Sequence, residues 1–138
     1  MKFKDILKIK YGKNQSSVID ENGKYPIIGT GGIFQYANNY LYDKPSVLIG
    51  RKGSINNPMY VDYPFWTVDT LFYTIIDTKK VIPRWLYYYT LTLNFNKLNE
   101  GTTIPSLTTK SLYEVNVPEH SLEYQQHIVD IRRCYYAS

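Results

Sequence analysis

Two adjacent cations between glycines are the residues of this sequence whose types and spacing best suit chemistry. Arg51 and Lys52 follow an apolar run at residues 47–49 and are flanked by Gly50 and Gly53. Such a run is typical of a buried β-strand, and glycine lets the backbone turn tightly and approach a ligand closely. Guanidinium and ammonium groups bind phosphate oxygens and base edges. The segment therefore predicts positive charge on an exposed bend that suits a polyanion such as nucleic acid.

A second glycine-rich turn lies upstream, where residues 29–32 end the apolar run 25–28. Bare turns expose backbone N–H groups to phosphates. Together with a third loop at residues 99–106, the two turns predict a surface that contacts nucleic acid. Its candidate residues are Thr30, Gly31, Gly32 and Gln35 in the glycine-rich loop, Arg51, Lys52 and Ser54 in the basic bend, and Thr102, Thr103, Ser106 and Lys110 in the third loop and the helix start after it.

Each of these features also has a purely structural explanation. The basic bend can be an ordinary charged hairpin tip, the glycine-rich loop a plain tight turn, and the Thr and Ser side chains simple helix caps. In the DNA-binding interpretation Arg51 contacts a base or a phosphate, and Lys52 contacts a phosphate. Trp66 and Asp69 fit packing and a backbone-fixing carboxylate better than ligand contact.

The charge of the chain is unevenly distributed. Residues 1–53 carry a net charge of +5, whereas residues 54–138 carry −1, so the basic half coincides with the glycine turns. This favours an anionic partner over solvated lysines kept for solubility alone. A single cysteine, Cys134, excludes an internal disulfide, and no signal-peptide pattern or run of membrane-spanning length is present. The sequence indicates a cytoplasmic protein that does not insert into membranes.

The predicted elements are short and mixed. A helical turn and a strand are expected across residues 3–11, and strands at 25–28, 46–49, 59–61 and 65–76. Helices are expected at 84–95, at 108–115 with Thr108 or Thr109 as the N-cap, and from 121 onward. Strands and helices intermix without a regular βαβ alternation. The predicted fold class is mixed α/β (α+β), with a twisted, largely antiparallel sheet, short helices and a C-terminal helix.

The terminal helix carries an apolar seam. Ser121 is a suitable N-cap, and the apolar side chains Tyr124, Ile128, Ile131 and Tyr135 follow at steps of four, three and four residues. A partner helix could pack on this seam, although such a stripe can equally pack on its own domain.

Sequence patterns for catalysis are incomplete. The dinucleotide-binding pattern Gly-x-Gly-x-x-Gly would require glycine at position 34, where this chain has Phe34. Residues 50–54 are too compressed for a phosphate loop. One cysteine and two distant histidines supply no zinc cluster. Residues 57–60 look like the Asn-Pro-Pro-Tyr tetrad of amino-methyltransferases but depart from it at Met59. The chain is therefore predicted to be non-catalytic, with no metal and no cofactor of its own.

Five blocks, in order, resemble a known family. Residues 25–32 resemble the Tyr-Pro-x-x-Gly-Ser/Thr-Gly-Gly block, and residues 47–54 the Leu-Ile-x-Arg-Lys-Gly-Ser block, of target recognition domains in the DNA-specificity subunits of type I restriction–modification enzymes. Residues 65–70 resemble the Trp-containing strand of these domains. Residues 101–112 and 117–129 resemble their Gly-Thr…Pro-x-Leu-Thr segment and the start of their conserved helix.

The resemblance implies a module that reads double-stranded DNA sequence-specifically and has no chemistry of its own. In that family, partner methyltransferase subunits bind S-adenosylmethionine and methylate the base, and a restriction subunit can join them. The resemblance also implies a target recognition domain at residues 1–120 and the start of the spacer or dimerisation helix at 121–138. Only one such domain is present and the helix is short, so a half subunit that self-associates or a truncated copy is expected.

Two other functions fit parts of the sequence. A truncated or mobile-element copy could act as a protein-interaction module on restriction–modification subunits without reading DNA. An aromatic-rich carbohydrate-binding module would use the 15 tyrosines for sugar stacking, although no secretion signal supports it. Salt dependence separates DNA from sugar binding, since only DNA affinity falls steeply with salt.

Overall fold

Residues 1–136 form eleven helices and strands and one 3₁₀ helix. A computed structural model describes residues 1–136, with the backbone alone at 135 and 136. The elements are α1 (Phe3–Ile6), β1 (Leu7–Tyr11), β2 (Tyr25–Gly29), β3 (Gly32–Ala37), β4 (Ser46–Gly50), β5 (Met59–Val61), β6 (Trp66–Thr67), β7 (Leu71–Ile76), α2 (Pro83–Thr90), a 3₁₀ helix (Phe95–Leu98), α3 (Thr109–Tyr113) and α4 (Leu122–Tyr136).

A four-stranded antiparallel sheet lies at the centre, with the strand order β1-β7-β4-β5. β1 and β7 pair along their length, from Leu7 opposite Ile76 to Tyr11 opposite Phe72. All five residues of β4 are buried. A strand covered on both faces needs no alternation of apolar and polar residues, which explains the continuous apolar run predicted there.

A second sheet has the order β3-β2-β6, with β2 and β3 antiparallel and β2 and β6 parallel. The prediction of one strand across 65–76 is wrong, because the chain turns at 68–70, where the N–H of Leu71 donates to the carbonyl of Val68 at 3.1 Å. β6 belongs to the second sheet and β7 to the first. The predicted α+β class, with mostly antiparallel pairing and a C-terminal helix, is confirmed, but the sheet is divided in two.

The four-stranded sheet separates two hydrophobic clusters. Side chains alternate along β4, so that Ile49 packs into one cluster and Leu48 into the other. The first cluster lies under the helices and includes Leu86 of α2 and Val129 of α4. The second lies between the two sheets and includes Phe65. The second cluster thus packs the two sheets against each other.

The helix predicted at 84–95 is shorter than expected. Pro83 occupies the first helical turn as predicted, but α2 ends at Thr90. The hydroxyl of Thr90 donates to the carbonyl of Tyr87 at 2.6 Å, and that of Thr92 donates to the carbonyl of Tyr89 at 2.7 Å. Hydroxyl groups that bond to the preceding turn in this way compete with further helical hydrogen bonds. The chain then re-forms as the separate 3₁₀ helix.

The two predicted N-caps near the C-terminus are present. The Thr108 hydroxyl accepts from the N–H of Ser111 at 3.2 Å at the start of α3. The Ser121 hydroxyl accepts from the N–H of Tyr124 at 3.1 Å at the start of α4. Across residues 1–136, no helix has the length and apolar character that crossing a bilayer requires.

Candidate nucleic-acid interface

Five segments meet at one end of the molecule, around the turn at residues 68–70. The N–H of Lys13 donates to the carbonyl of Thr67, just before this turn, at 2.9 Å. The N–H of Arg51 donates to the carbonyl of Thr70 at 2.8 Å. The N–H of Val68 donates to the carbonyl of Ile28, near the end of β2, at 3.2 Å. We call this surface the loop end; it consists of residues 12–13, 29–32, 51–54, 68–70 and 105–107.

Arg51 is held in place by two contacts. Its Nε donates to the main-chain carbonyl of Asp69 at 2.8 Å, and its guanidinium carbon lies 5.5 Å from the centre of the Tyr11 ring. Tyr11 in turn packs edge-on against Phe72, with ring centres 5.2 Å apart. Within residues 1–136 no hydrogen bond or ion pair occupies the two terminal nitrogens of Arg51. They remain free to bind an incoming anion or base edge.

The basic bend is joined to the third loop. Lys52 is exposed and lies opposite Ser106 in an isolated antiparallel bridge, and the N–H of Gly53 donates to the carbonyl of Pro105 at 2.9 Å. Gly53 has φ +88°, a conformation that side chains with a Cβ rarely adopt. The sequence requires glycine here for the bend itself. Ser54, the next residue, is exposed beside Lys52.

The glycine-rich turn lies on the same surface. Gly32 has φ +110°, and a Cβ at Gly31 would meet open space, so the turn is bare on its outer side. The carbonyl of Thr30 accepts from Nδ2 of Asn57 at 3.5 Å, which links this turn to the chain that follows the basic bend. The structure therefore brings the glycine-rich turn and the basic bend together.

The third loop is closed by Asn99. Its Oδ1 accepts from the N–H groups of Gly101 and Ser106, at 2.8 and 2.9 Å. Thr102 and Thr103 are exposed in the loop between them. These hydroxyl groups face solvent beside the basic bend, where they can donate to phosphate oxygens.

Lys110 lies at the helix start, as predicted. It is exposed on α3, a helix of only five residues whose start is capped by Thr108. A helix this short has a weak dipole, and its N-cap site is filled by the chain's own hydroxyl group. The helix start therefore offers a phosphate little beyond the ammonium group of Lys110, which we expect to act as a flanking charge.

Gln35 is also set apart. The prediction that it belongs to the glycine-rich loop is wrong: it lies in β3, opposite Ile27, beyond the two-residue turn. Its Oε1 is buried and has no hydrogen-bond partner within residues 1–136. The structure therefore directs this acceptor oxygen inward, away from the exposed side of the glycine-rich turn. Sequence reasoning missed β3, because the glycines masked the start of a strand.

Four residues in or next to the loop end were not predicted as contacts. Tyr11 supports Arg51, Asp69 supplies its carbonyl, Lys13 adds an exposed cation and Asn57 joins the two turns. The only sequence signal for Tyr11 is its place at the end of a strand one residue before Gly12. A Cβ at Gly12 would lie 1.9 Å from the carbonyl oxygen of Val68, so this close contact requires glycine.

The predicted seam of α4 lies largely in the open. Tyr124 and Ile131 are each 47% exposed, whereas Ile128 is half-buried against the first cluster. The side chain of Tyr135 lies outside the part of the chain that the structure describes. The helix packs on the domain through a neighbouring stripe, Gln125 and Val129, both buried.

Shifted pKa values lie away from the loop end. Burial, first of all, raises the pKa of Tyr42, Tyr60, Tyr63 and Tyr73, which keeps these phenols protonated. Hydrogen bonds from Lys2 and Lys4 lower the pKa of the exposed Glu114 carboxyl. Among the described residues there is no group of three or more potential metal ligands.

Comparison with known proteins identifies the class. The sequence matches, over residues 1–136, the family described as type I restriction modification DNA specificity domain. The chain belongs to this family, and it carries a target-recognition domain of a type I specificity subunit. This membership decides against the carbohydrate-binding alternative. None of the curated proteins compared with the sequence matches it.

Three solved structures share the fold. The S subunit of a type I restriction–modification system from M. genitalium has a TM-score of 0.84 at 17% identity, over 98% of this chain and 38% of that one. The HsdS subunit from Thermoanaerobacter tengcongensis gives 0.74 at 17% identity, over 95% and 35%. A chain from a study of complex assembly and conformational transition of the type I R-M system gives 0.78 at 20%, over 99% and 38%. This chain thus spans less than half the length of each.

Proposed function

We propose that this chain binds double-stranded DNA sequence-specifically through the loop end, as the target-recognition module of a type I restriction–modification enzyme. One observation carries the proposal. Arg51 is fixed by a carbonyl group and an aromatic ring on a surface where bare glycine turns converge, and its terminal nitrogens are unoccupied within residues 1–136. Family membership supports the same conclusion.

The geometry suits direct readout. With Nε bound to the protein, the two remaining nitrogens of Arg51 form a fork that matches O6 and N7 of guanine, or two phosphate oxygens. Lys52 supplies a point charge for a phosphate, and the hydroxyl groups of Thr30, Ser54 and Ser106 can donate to the backbone of the duplex. The uncharged glycine turn allows the DNA to approach closely.

The chain itself is proposed to be non-catalytic and to need no cofactor. Methylation requires S-adenosylmethionine, which a partner methyltransferase subunit would bind, and cleavage would belong to a restriction subunit. Membership in a family of type I restriction–modification specificity domains supports these partners. A cytoplasmic location fits this role, and a division at residue 120 between the DNA-reading domain and the helix remains a prediction.

A selection experiment tests DNA reading. The folded chain is incubated with a library of randomised duplexes, bound DNA is recovered and sequenced, and the enriched duplex is titrated at several salt concentrations. We expect a defined sequence to be enriched, and its affinity to fall linearly with salt on logarithmic axes. Recovery of unselected sequence, or binding that does not depend on salt, would contradict the proposal.

A second candidate function rests on α4. Tyr124 and Ile131 expose apolar surface on a helix that is already anchored through Gln125 and Val129. A helix seam of this kind can hold a second copy of the chain or a methyltransferase subunit. The chain would then act as an interaction module on restriction–modification subunits even without useful DNA reading. Capture of such a subunit together with failure of the DNA selection would favour this alternative.

A further inference from the structure

Phe34 is the least expected side chain on the glycine-rich hairpin. It is 53% exposed, and its neighbours Ile33 and Tyr36 are also exposed. The strand pairing explains this arrangement: Ile27 faces Gln35 while Ile28 faces Ile33, so Phe34 is the extra residue of a β-bulge. A bulge re-aims a side chain away from the alternation of the strand. Phe34 is therefore directed outward by the backbone itself.

The ring of Phe34 packs against Gly29. A Cβ built on Gly29 would lie 3.4 Å from Cε1 of Phe34 and 3.8 Å from Cγ2 of Val68. The ring thus lies against the bare backbone of Gly29 and close to Val68. One side of the ring is supported by protein, and the rest is open to solvent.

Gly29 and Val68 link the position of Phe34 to the cations of the loop end. Val68 immediately precedes Asp69, whose carbonyl binds Nε of Arg51 at 2.8 Å. An exposed apolar ring thus flanks the glycine-rich turn, and the Gly29 backbone beneath it lies close to Val68, the residue before the Asp69 that orients the guanidinium group. The cations of the loop end favour a polyanion over an apolar protein partner. An apolar protein would bury their charges without pairing them, which costs desolvation free energy, whereas a polyanion would pair them.

We infer that Phe34 is a specificity-determining residue that makes an apolar contact with a base of the target duplex. The inference rests on the proposed DNA-reading function and deepens it. Phenylalanine discriminates bases through contact with the thymine methyl group, which carries no charge. Phe34 would thus contribute to the sequence preference, whereas Lys52 would contact only the phosphate backbone.

The test uses the duplex that the wild-type chain selects. Affinity is measured by fluorescence anisotropy at several salt concentrations for wild type, Phe34→Ala and Phe34→Leu. Leu91→Ala serves as the matched control, because Leu91 is an exposed apolar side chain at the end of α2. Thymines of the duplex are then replaced one at a time by deoxyuridine, which lacks only the methyl group. Circular dichroism verifies the fold of each variant.

For Phe34→Ala we expect a roughly five- to tenfold loss of affinity for the selected duplex. The salt slope and the affinity for unselected DNA should not change, since no phosphate contact is removed. One deoxyuridine substitution should weaken wild-type binding roughly fourfold and leave Phe34→Ala unaffected. The affinity of Phe34→Leu for the selected duplex should lie between those of wild type and Phe34→Ala. The affinity of Leu91→Ala should equal that of wild type.

Other results would overturn the inference. If Phe34→Ala binds the selected duplex as tightly as wild type, Phe34 makes no contact, while the DNA-reading proposal stands. An equal loss on all sequences, or a changed salt slope, would also exclude a base contact. If wild type itself binds no duplex, the proposed function and the inference fail together.

Discussion

The Nε of Arg51 donates to the main-chain carbonyl of Asp69, at 2.8 Å, and not to its carboxylate. A carbonyl group orients the guanidinium without neutralising it. The Tyr11 ring, 5.5 Å from the guanidinium carbon, adds a second restraint. The side chain is thus ordered before it meets a ligand, which reduces the entropy lost on binding.

Replacing Arg51 tests its role as a reader. Arg51→Ala should weaken binding to the selected duplex by ~1–3 kcal/mol and relax the preference at one base pair, if the fork binds guanine. Asp69→Ala is the matched control: it keeps the carbonyl acceptor and should not lose affinity. Titration by anisotropy compares them; unchanged affinity and preference in folded Arg51→Ala would remove this residue from the site.

The ring beneath Arg51 acts through that residue. Tyr11→Leu should weaken duplex binding by about 0.5–1 kcal/mol, because it removes the cation–π contact of an exposed pair. In the Arg51→Ala background the same substitution should have no further effect. A double-mutant cycle measures this coupling, and additive losses would show that Tyr11 contacts DNA independently.

Gln125 anchors α4 to the domain. This fully buried side chain accepts from the N–H of Ile82 at 2.7 Å and donates to the carbonyls of Lys80 and His120, at 3.2 and 3.0 Å. Gln125→Leu leaves all three groups without partners and should lower the free energy of unfolding by about 2–4 kcal/mol.

Urea unfolding followed by circular dichroism measures this loss. The neighbouring Gln126 is exposed and only pairs with Asp130 along the helix, so Gln126→Leu should change stability by less than about 0.5 kcal/mol. Equal effects of the two substitutions would contradict the anchoring role.

Glu114 links α1 to α3 through Lys2 and Lys4. Because these partners lower the pKa of its carboxyl, the contribution to stability is present above the usual pKa of 4.5 and is lost as the pH falls through the lowered value. Wild type should therefore be more stable than Glu114→Gln near about pH 7, and the difference should close in acid. Thermal unfolding across pH checks this; a difference that persists in strong acid would assign the effect to another cause.

The exposed seam of α4 predicts association. Wild type should self-associate, or bind a methyltransferase subunit. Ile131→Lys should abolish this while leaving the far-ultraviolet circular dichroism spectrum unchanged, since Ile131 is half exposed. Light scattering gives the mass, and co-purification reports the partner. A monomeric wild type that captures no such subunit would argue against both interactions.

The sequence predicted elements best where one signal dominated. The apolar run at 46–49 and the short strand at 59–61 agree with β4 and β5, and Thr108 and Ser121 cap the helices that they were expected to cap. Each of these signals is local, because it depends on a few neighbouring side chains.

The errors arose where tertiary context decided. Residues 65–76 favour strand throughout, yet the turn at 68–70 moves the chain from one sheet to the other. The bulge that exposes Phe34 and the carbonyl that orients Arg51 depend on pairing between distant segments. No local pattern contains that information, so the sequence predicted which turns matter but not the residues that support them.

The most direct test maps the DNA surface by NMR. In ¹H–¹⁵N spectra recorded while the selected duplex is added, amide signals of Gly31, Arg51, Lys52 and Ser106 should shift, whereas those of α4 from Glu123 to Asp130 should not. Shifts confined to α4, with the loop end unchanged, would contradict the account.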